Sequence, residues 1–285
     1  MTFYAQNLLG GLAYGSLLFL IAAGFTLIFG LMRVVNIAQT SFFLVGVYTG
    51  LTLLRAHVAF WLAVPMAGAT VTVIGLFIYR VFLHRYHADE LIALLLTLGF
   101  ALMLDDGALA LWGGNPESVP APGALAASLQ LGTLVFPSYW LALIGISLLI
   151  AAALRAMERR TMLGAIIRAG VDDEEMARGL GIDVDRAFYI VFAIGAFLAG
   201  AGGLLGGPIT GAYPGLDGDL LPLAFAVIII GGIGSLEGAY VGSLVIGLVS
   251  TFGKALFPEL SYFTIFVPVA AIMSLRPQGL LGRKR

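Results

Sequence analysis

Cysteine is absent from this sequence, histidine occurs only three times, and charged side chains occupy just 11% of the positions. Without cysteine there are no disulfides, thiolate metal sites or cysteine nucleophiles, although this says nothing about compartment. Three scattered histidines with no Ser-His-Asp context give an intramembrane enzyme little support. No G-x-x-x-x-G-K-[ST] phosphate loop occurs, so the chain has no ATPase site of that kind. The shortage of charge accompanies 60% hydrophobic residues and a mean hydropathy of +1.01 over 285 residues. That is more apolar surface than a soluble core of this size can hide, so the expected solvent is lipid.

The first thirty-two residues carry no charge, and nearly uncharged runs of bilayer length recur along the chain. No basic segment precedes the first run, which is also too long for a signal-peptide core; it is read as a retained span, with the mature protein starting near Met1. Apolar runs bounded by charges, Pro or Gly clusters mark nine segments at 6–32, 34–54, 58–79, 91–112, 138–154, 187–206, 220–234, 239–257 and 261–275. The expectation is an all-α integral membrane protein, one polytopic domain over 1–285 with eight to ten transmembrane helices. Segment 34–54 has a polar first half and 220–234 is short and Gly-ended, so each suits a re-entrant or broken helix as well as a full crossing.

With the N-terminus outside and the C-terminus inside, thirteen basic residues fall on the cytoplasmic side: Arg33, Arg80, Arg85, Arg155, Arg159, Arg160, Arg168, Arg178, Arg186, Arg276, Arg283, Lys284 and Arg285. Only Arg55 and Lys254 fall outside, as the positive-inside rule requires. Two loops are long enough to have their own shape. The outer one, 113–137, is rich in Pro, Gly and small residues and suits an ordered extracytoplasmic cap or partner-docking loop. The inner one, 155–186, carries thirteen charges in thirty-two residues. Gly11 with Gly15, Gly46 with Gly50, Gly202 with Gly206 and Gly238 with Gly242 have the spacing that lets helix backbones approach closely in lipid, for tight packing or a moving interface.

Inside the inner loop, "DDEEMARGLG" reads as a short capped helix. Asp172 serves as N-cap, Glu175 completes a capping box, and Asp173 and Glu174 place negative charge in the first turn, where the macrodipole favours it. Gly181, or Gly179 before it, permits a left-handed C-terminal residue. Such a helix has about eight residues. Met176 and Leu180 share a face with Ala177 beside them, while Arg178 marks a polar direction. A helix this short is marginal alone, so it is either a solvated loop helix or a docking element for cytoplasmic protein.

The order Glu175, Met176, Ala177, Gly181 resembles the Glu-Ala-Ala-x-x-x-Gly loop of ABC importer permeases, with Met176 departing from it. "VVNIAQTSFFLVGVY" (34–48), "WGGNPESVPAP" (112–122), "AFAVIIIGGIGSLEGAYVGSLVIGL" (224–248) and "RPQGLLG" (276–282) resemble the permeases of branched-chain amino acid importers, in order along nearly the whole chain. The resemblance implies a cytoplasmic coupling helix in which Asp173, Glu174, Glu175, Ala177, Arg178 and Gly181 engage an ATPase. It also implies a second permease, homologous or identical, two cytoplasmic ATPase subunits that use ATP and Mg, an extracytoplasmic substrate-binding protein, and a bacterial or archaeal inner membrane. This chain itself would bind no cofactor, metal or nucleic acid.

A permease needs a polar route, and intramembrane polar groups are where to seek it. Asn36, Gln39, Thr40 and Ser41 begin the second segment; Asp105 and Asp106 lie two-thirds along the fourth. Asn36, Gln39, Ser41, Asp105 and Asp106 are the translocation-path candidates. Against this stand interhelical hydrogen bonding for the amides and an interfacial position for the acids. Buried side by side, the two acids would share a proton. The related permeases usually have His-Gly-Glu in place of Gln39-Thr40-Ser41 and uncharged amides near Asp105 and Asp106, which bears on the substrate: a branched-chain amino acid first, then urea, short amides or organic acids. His84 and His87 suit an interfacial role better than a metal site, with no third ligand in sequence. The competing reading is a self-sufficient secondary transporter or channel, whose Gly-interrupted helices would form the substrate site without a coupling helix.

Overall fold

The computed structural model describes residues 2–32, 34–86, 89–131, 134–276 and 278–282. Arg33, His87, Arg283, Lys284 and Arg285 lie outside the described residues. Each apolar segment of the sequence forms a helix. In chain order these are α1 (Thr2–Met32), α2 (Ala38–Arg55), α3 (Phe60–Ile78), which continues through a π-helical turn (Tyr79–Leu83) into α4 (His84–Tyr86), then α5 (Glu90–Trp112) and α6 (Ser138–Arg160). There follow α7 (Met162–Asp172), α8 (Glu174–Gly179), α9 (Val184–Thr210), α10 (Leu216–Gly231), α11 (Leu236–Leu256) and α12 (Ser261–Leu275). Among the described residues, six helices, α1, α3 with its continuation, α5, α6, α9 and α11, are long and apolar enough to cross a bilayer. A small antiparallel hairpin, β1 (Ser128–Leu131) with β2 (Leu134–Pro137), lies within 113–137 and pairs Leu129 with Phe136. The loop that composition marked as an ordered cap thus contains strand.

The core forms around α1 and α9. α1 packs against α11, α9, α6 and α10, and α9 packs against α3, α2 and α1. Helices α5 and α6 expose long apolar side chains such as Met103, Leu111 and Leu149, as expected of surfaces facing lipid or another membrane subunit. The glycine pairs explain the close approaches. A Cβ on Gly15 would lie 2.7 Å from the Ser243 carbonyl oxygen of α11, and one on Gly46 would collide with the Gly200 backbone of α9. Where lipid is as apolar as leucine, backbone-to-backbone contact of this kind supplies much of the association energy. The pairs are packing seams.

Contacts between distant segments sort the loops into two ends. At one end Gln6 reaches the Val135 carbonyl at 2.9 Å, Arg55 pairs with Glu117 at 2.6 Å, and Glu117 bridges to Ala212. At the other end Arg155 and Arg159 both pair with Glu237, at 3.1 and 2.6 Å. The segments placed outside and inside by alternating crossings are therefore grouped correctly with one another.

The two segments marked as weak spans both form short helices, as does α12 with 15 residues. α2 has 18 residues and α10 has 16, roughly 27 and 24 Å, shorter than a hydrocarbon core of about 30 Å. Both begin inside the bundle. Gln39, the second residue of α2, donates to the carbonyl of Gly195, eleven residues or roughly 16 Å into α9. Gly215, just before α10, is bound by Asp105, seven residues or roughly 10 Å short of the end of α5. Irregular backbone at this depth persists only where protein satisfies it. Thr97 of α5 does so before α2, accepting from the Ile37 amide at 3.2 Å and donating to the Val35 carbonyl at 3.2 Å.

Candidate functional site

The first turns of α2 and α10 meet inside the bundle. Ser41 donates its hydroxyl to Asp217 Oδ2 at 2.5 Å, and both residues are buried. An acid buried in a membrane bundle is costly unless its oxygens are satisfied and positive potential faces it. Ser41 supplies a charge-assisted bond, worth about 1.5–3 kcal/mol. The α10 N-terminus supplies the favourable end of a macrodipole, worth up to about 2 kcal/mol in partly buried geometry. Gly215 makes the sharp entry into α10 with φ +87°, a conformation L side chains rarely adopt. Its N–H donates to Asp105 Oδ1 at 2.9 Å, so one loop joins the two carboxylates. Asp105 and Asp217 lie within electrostatic range of each other.

Above this junction Tyr48 and Trp112 stack with centroids 5.1 Å apart and planes 18° from parallel. Trp112 is fixed by its indole N–H, which donates to Thr52 at 2.8 Å. The fully buried Tyr48 hydroxyl lies in range of Asp105 and Glu117, and it has no hydrogen-bond partner among the described residues. Below the junction, Gln39 Oε1, both polar atoms of the Asn36 side chain and Thr26 Oγ1 are likewise buried without described partners. Thr26 and Val35 then line a cleft of about 1500 Å³ that opens at the end carrying Glu90, Arg159, Arg168 and Glu237. Helices α5 and α10 line this cleft and also carry Asp105 and Asp217. Buried polar groups thus lie between the cleft and the acidic junction.

Of the five path candidates read from sequence, Ser41 and Asp105 are joined at the junction through residues 215–217, while Gln39 and Asn36 lie just below it. Asp106 departs from the expectation. It is exposed on the α5 face that also exposes Leu102, Met103 and Leu109, because successive helical residues point about 100° apart. The two acids are not a buried pair, and the shared-proton arrangement does not arise between them.

The cytoplasmic candidates also fall into place with corrections. What reads as a loop over 155–186 is helical through most of its length. Asp172 ends α7, and the N-cap of α8 is Asp173, whose extended backbone (φ −156°, ψ 104°) lets its side chain accept from the Met176 amide at 2.9 Å. The helix has six residues, not eight. At its other end Gly181 takes φ +80°, with Gly181 N–H to Arg178 O and Ile182 N–H to Ala177 O, the paired bonds of a Schellman cap. Met176 and Leu180 are exposed by 61% and 73%, whereas Ala177 is buried and turned toward the protein. Ala177 therefore anchors the helix instead of forming its outer face. Arg178 is a strut, paired with both carboxylate oxygens of Asp185 at 2.7 and 3.0 Å. Glu175 is exposed. Away from both regions, His84 packs against the rings of Tyr79 and Tyr189.

Sequence reading missed Asp217, Tyr48 and Thr97. The signal for Asp217 was present: "PGLDGDLLP" puts an acid between a glycine and an apolar run, as an acid in the first turn of a helix would be. Starting the span at 220 left it in the loop. Tyr48 and Thr97 gave no such signal, since an aromatic or a threonine in an apolar run reads as packing.

The sequence profile described as "Branched-chain amino acid transport system / permease component" matches residues 7–273. The chain is 29% identical to the high-affinity branched-chain amino acid transport system permease protein BraD of Pseudomonas aeruginosa, over 98% of this chain and 96% of that protein. It is 27% identical to the corresponding LivH protein of Escherichia coli K12, over 99% and 96% of the two chains. It is 28% identical to a probable branched-chain amino acid transport permease protein LivH of Methanocaldococcus jannaschii, over 96% and 91%. With most of its length matched and six membrane-length helices, this multi-pass membrane protein belongs to the family of branched-chain amino acid transport system permease components.

Proposed function

We propose that the chain is the membrane-spanning subunit of an ATP-driven importer and forms the translocation path for a branched-chain amino acid or a related small polar solute. It works with a second permease, two cytoplasmic ATPase subunits and an extracytoplasmic substrate-binding protein. ATP and Mg are used by the ATPases; this subunit holds neither. The end carrying α7 and α8 faces the cytoplasm, as the excess of basic residues there favours.

The observation that carries this reading is α8: a helix capped at both ends, anchored inward by Ala177 and braced by Arg178 with Asp185, that holds Met176 and Leu180 outward. Apolar groups held outward by a braced element suit a protein groove, and each is worth about 1.5–3 kcal/mol when buried. Closure of the ATPases would move α8, and α7 and α9 would carry the movement to the spans. The secondary-transporter reading gives α8 no task.

The test is substrate-dependent ATP hydrolysis by the reconstituted complex carrying Met176→Asp and Leu180→Asp together. Hydrolysis linked to substrate should fall at least tenfold while the permease stays folded, since both side chains are solvent-facing. Unchanged hydrolysis would overturn the assignment of α8.

A further inference from the structure

Acids dominate the junction of α2, α5 and α10, and no ion pair among the described residues offsets them. Asp217 is buried and Asp105 half-buried, and neither has an ion-pair partner among the described residues. Arg55, the cation at this end that forms an ion pair, is taken by Glu117 at 2.6 Å. Lys254 lies elsewhere, over the Tyr14 ring at 5.3 Å. Two acids by themselves are no binding site.

A second observation points to a ligand. The Tyr48 hydroxyl is fully buried, lies within electrostatic range of Asp105 and Glu117, and has no hydrogen-bond partner among the described residues. A buried hydroxyl without a partner costs about 1–3 kcal/mol, a cost accepted where a partner arrives in another state. Gln39 Oε1, an acceptor, is orphaned on the other side of Ser41 and Asp217. The Tyr48 and Trp112 ring stack adds a π surface. Two carboxylates, the Gln39 acceptor oxygen, a phenol oxygen that accepts as well as donates and two aromatic rings make a set richer in acceptors than in donors, which suits a group that only donates and carries positive charge. A carboxylate placed here would meet like charge and find few donors.

We propose that Tyr48, Asp105 and Asp217 form a binding site for the cationic headgroup, a primary ammonium or guanidinium, of the transported solute, so that this subunit itself selects for a positive group. The headgroup sits between the Asp105 and Asp217 carboxylates and donates to the Tyr48 oxygen. Solutes that have only a carboxylate are rejected by repulsion, whatever their apolar tail. Organic acids are thereby excluded as cargo, and amino acids are retained through their ammonium group. This inference rests on the permease reading and deepens it.

Three probes with the same branched tail separate the headgroups: leucine, 3-methylbutylamine, which lacks the carboxylate, and 4-methylpentanoate, which lacks the ammonium. Binding to the full chain in lipid nanodiscs is followed by indole fluorescence, with Trp112→Phe identifying the signal from the ring stack. The amine should bind saturably and the acid at least tenfold more weakly. Asp217→Asn, which keeps an acceptor for Ser41, should weaken the amine at least tenfold, and Tyr48→Phe several-fold. Equal binding of amine and acid, or amine affinity within twofold of wild type in Asp217→Asn, overturns the proposal. If Asp217→Asn does not fold, the amine-to-acid ratio on the wild-type chain decides alone. Failure here with the expected loss of hydrolysis in the α8 variants strikes only the headgroup site; the reverse pattern strikes only the coupling assignment.

Discussion

Asp173 and Asp217 are the same side chain at the start of a helix, the first as the N-cap of α8 and the second as the second residue of α10, yet they live in opposite solvents. Asp173 is exposed, caps a six-residue helix on the surface, and has water to complete its hydrogen bonds. Asp217 is buried, takes a hydrogen bond from Ser41 of another helix, and shares its surroundings with a second carboxylate. The first acid is replaceable at the cost of a cap. The second is held by structure assembled from α2, α5 and α10, so its loss should be felt by all three. Burial converts a local signal into a tertiary one.

That contrast can be broken at several points. The largest effect should come from Asp217→Leu, which removes the acceptor for Ser41 and the charge at the junction. Uptake by reconstituted transporter should fall at least a hundredfold, and retention of more than a tenth of wild-type uptake would place the path elsewhere. Next, Ser41→Ala leaves the Asp217 carboxylate short of its charge-assisted donor at a cost of about 1.5–3 kcal/mol, which should appear as a lower Tm of the purified protein in lipid or detergent. A Tm equal to wild type would mean that water or another group replaces the hydroxyl at no cost. Asp173→Ala should cost about 1 kcal/mol, confined to α8. Hydrogen exchange should quicken there, with the Tm of the whole protein nearly constant; a global loss of Tm would show that α8 supports the spans. The smallest effect is expected for Asp106→Asn. Because Asp106 is exposed and away from the junction, uptake should stay within twofold of wild type, and a larger loss would return it to the path.

Much of the fold was legible because lipid imposes simple rules. A chain with 11% charge and no charge in its first thirty-two residues must sort its apolar runs into helices, and all nine marked runs are helical. The polar start of 34–54 and the brevity of 220–234 also foretold irregularity, since a helix that begins below the membrane surface needs polar groups to finish its backbone. The candidate site was less legible. Ser41, Gln39 and Asn36 stood out as polar residues in an apolar run, but nothing local linked Ser41 to a residue 176 positions away. Asp106 looked as good as its neighbour because a string of letters carries no direction around a helix axis at ambiguous boundaries. In the surface helix an Asp N-cap was expected one residue early, because Asp172 and Asp173 offer the same oxygen and only the bend between α7 and α8 selects the second; the capping box with Glu175 does not form, since the third residue of the helix is then Met176.

The sequence by itself determined the solvent, the helices, the grouping of loops into two ends and the glycine seams, because hydropathy, charge asymmetry and small-residue spacing are properties of short stretches. The tertiary structure decided which acids are buried, that Asp217 belongs with Ser41 and Asp105, that Ala177 faces inward, and that the Tyr48 hydroxyl has no described partner. Each of those depends on where α2, α5, α9 and α10 lie relative to one another. Burial and hydrogen bonding are settled between segments, after the helices have formed and packed.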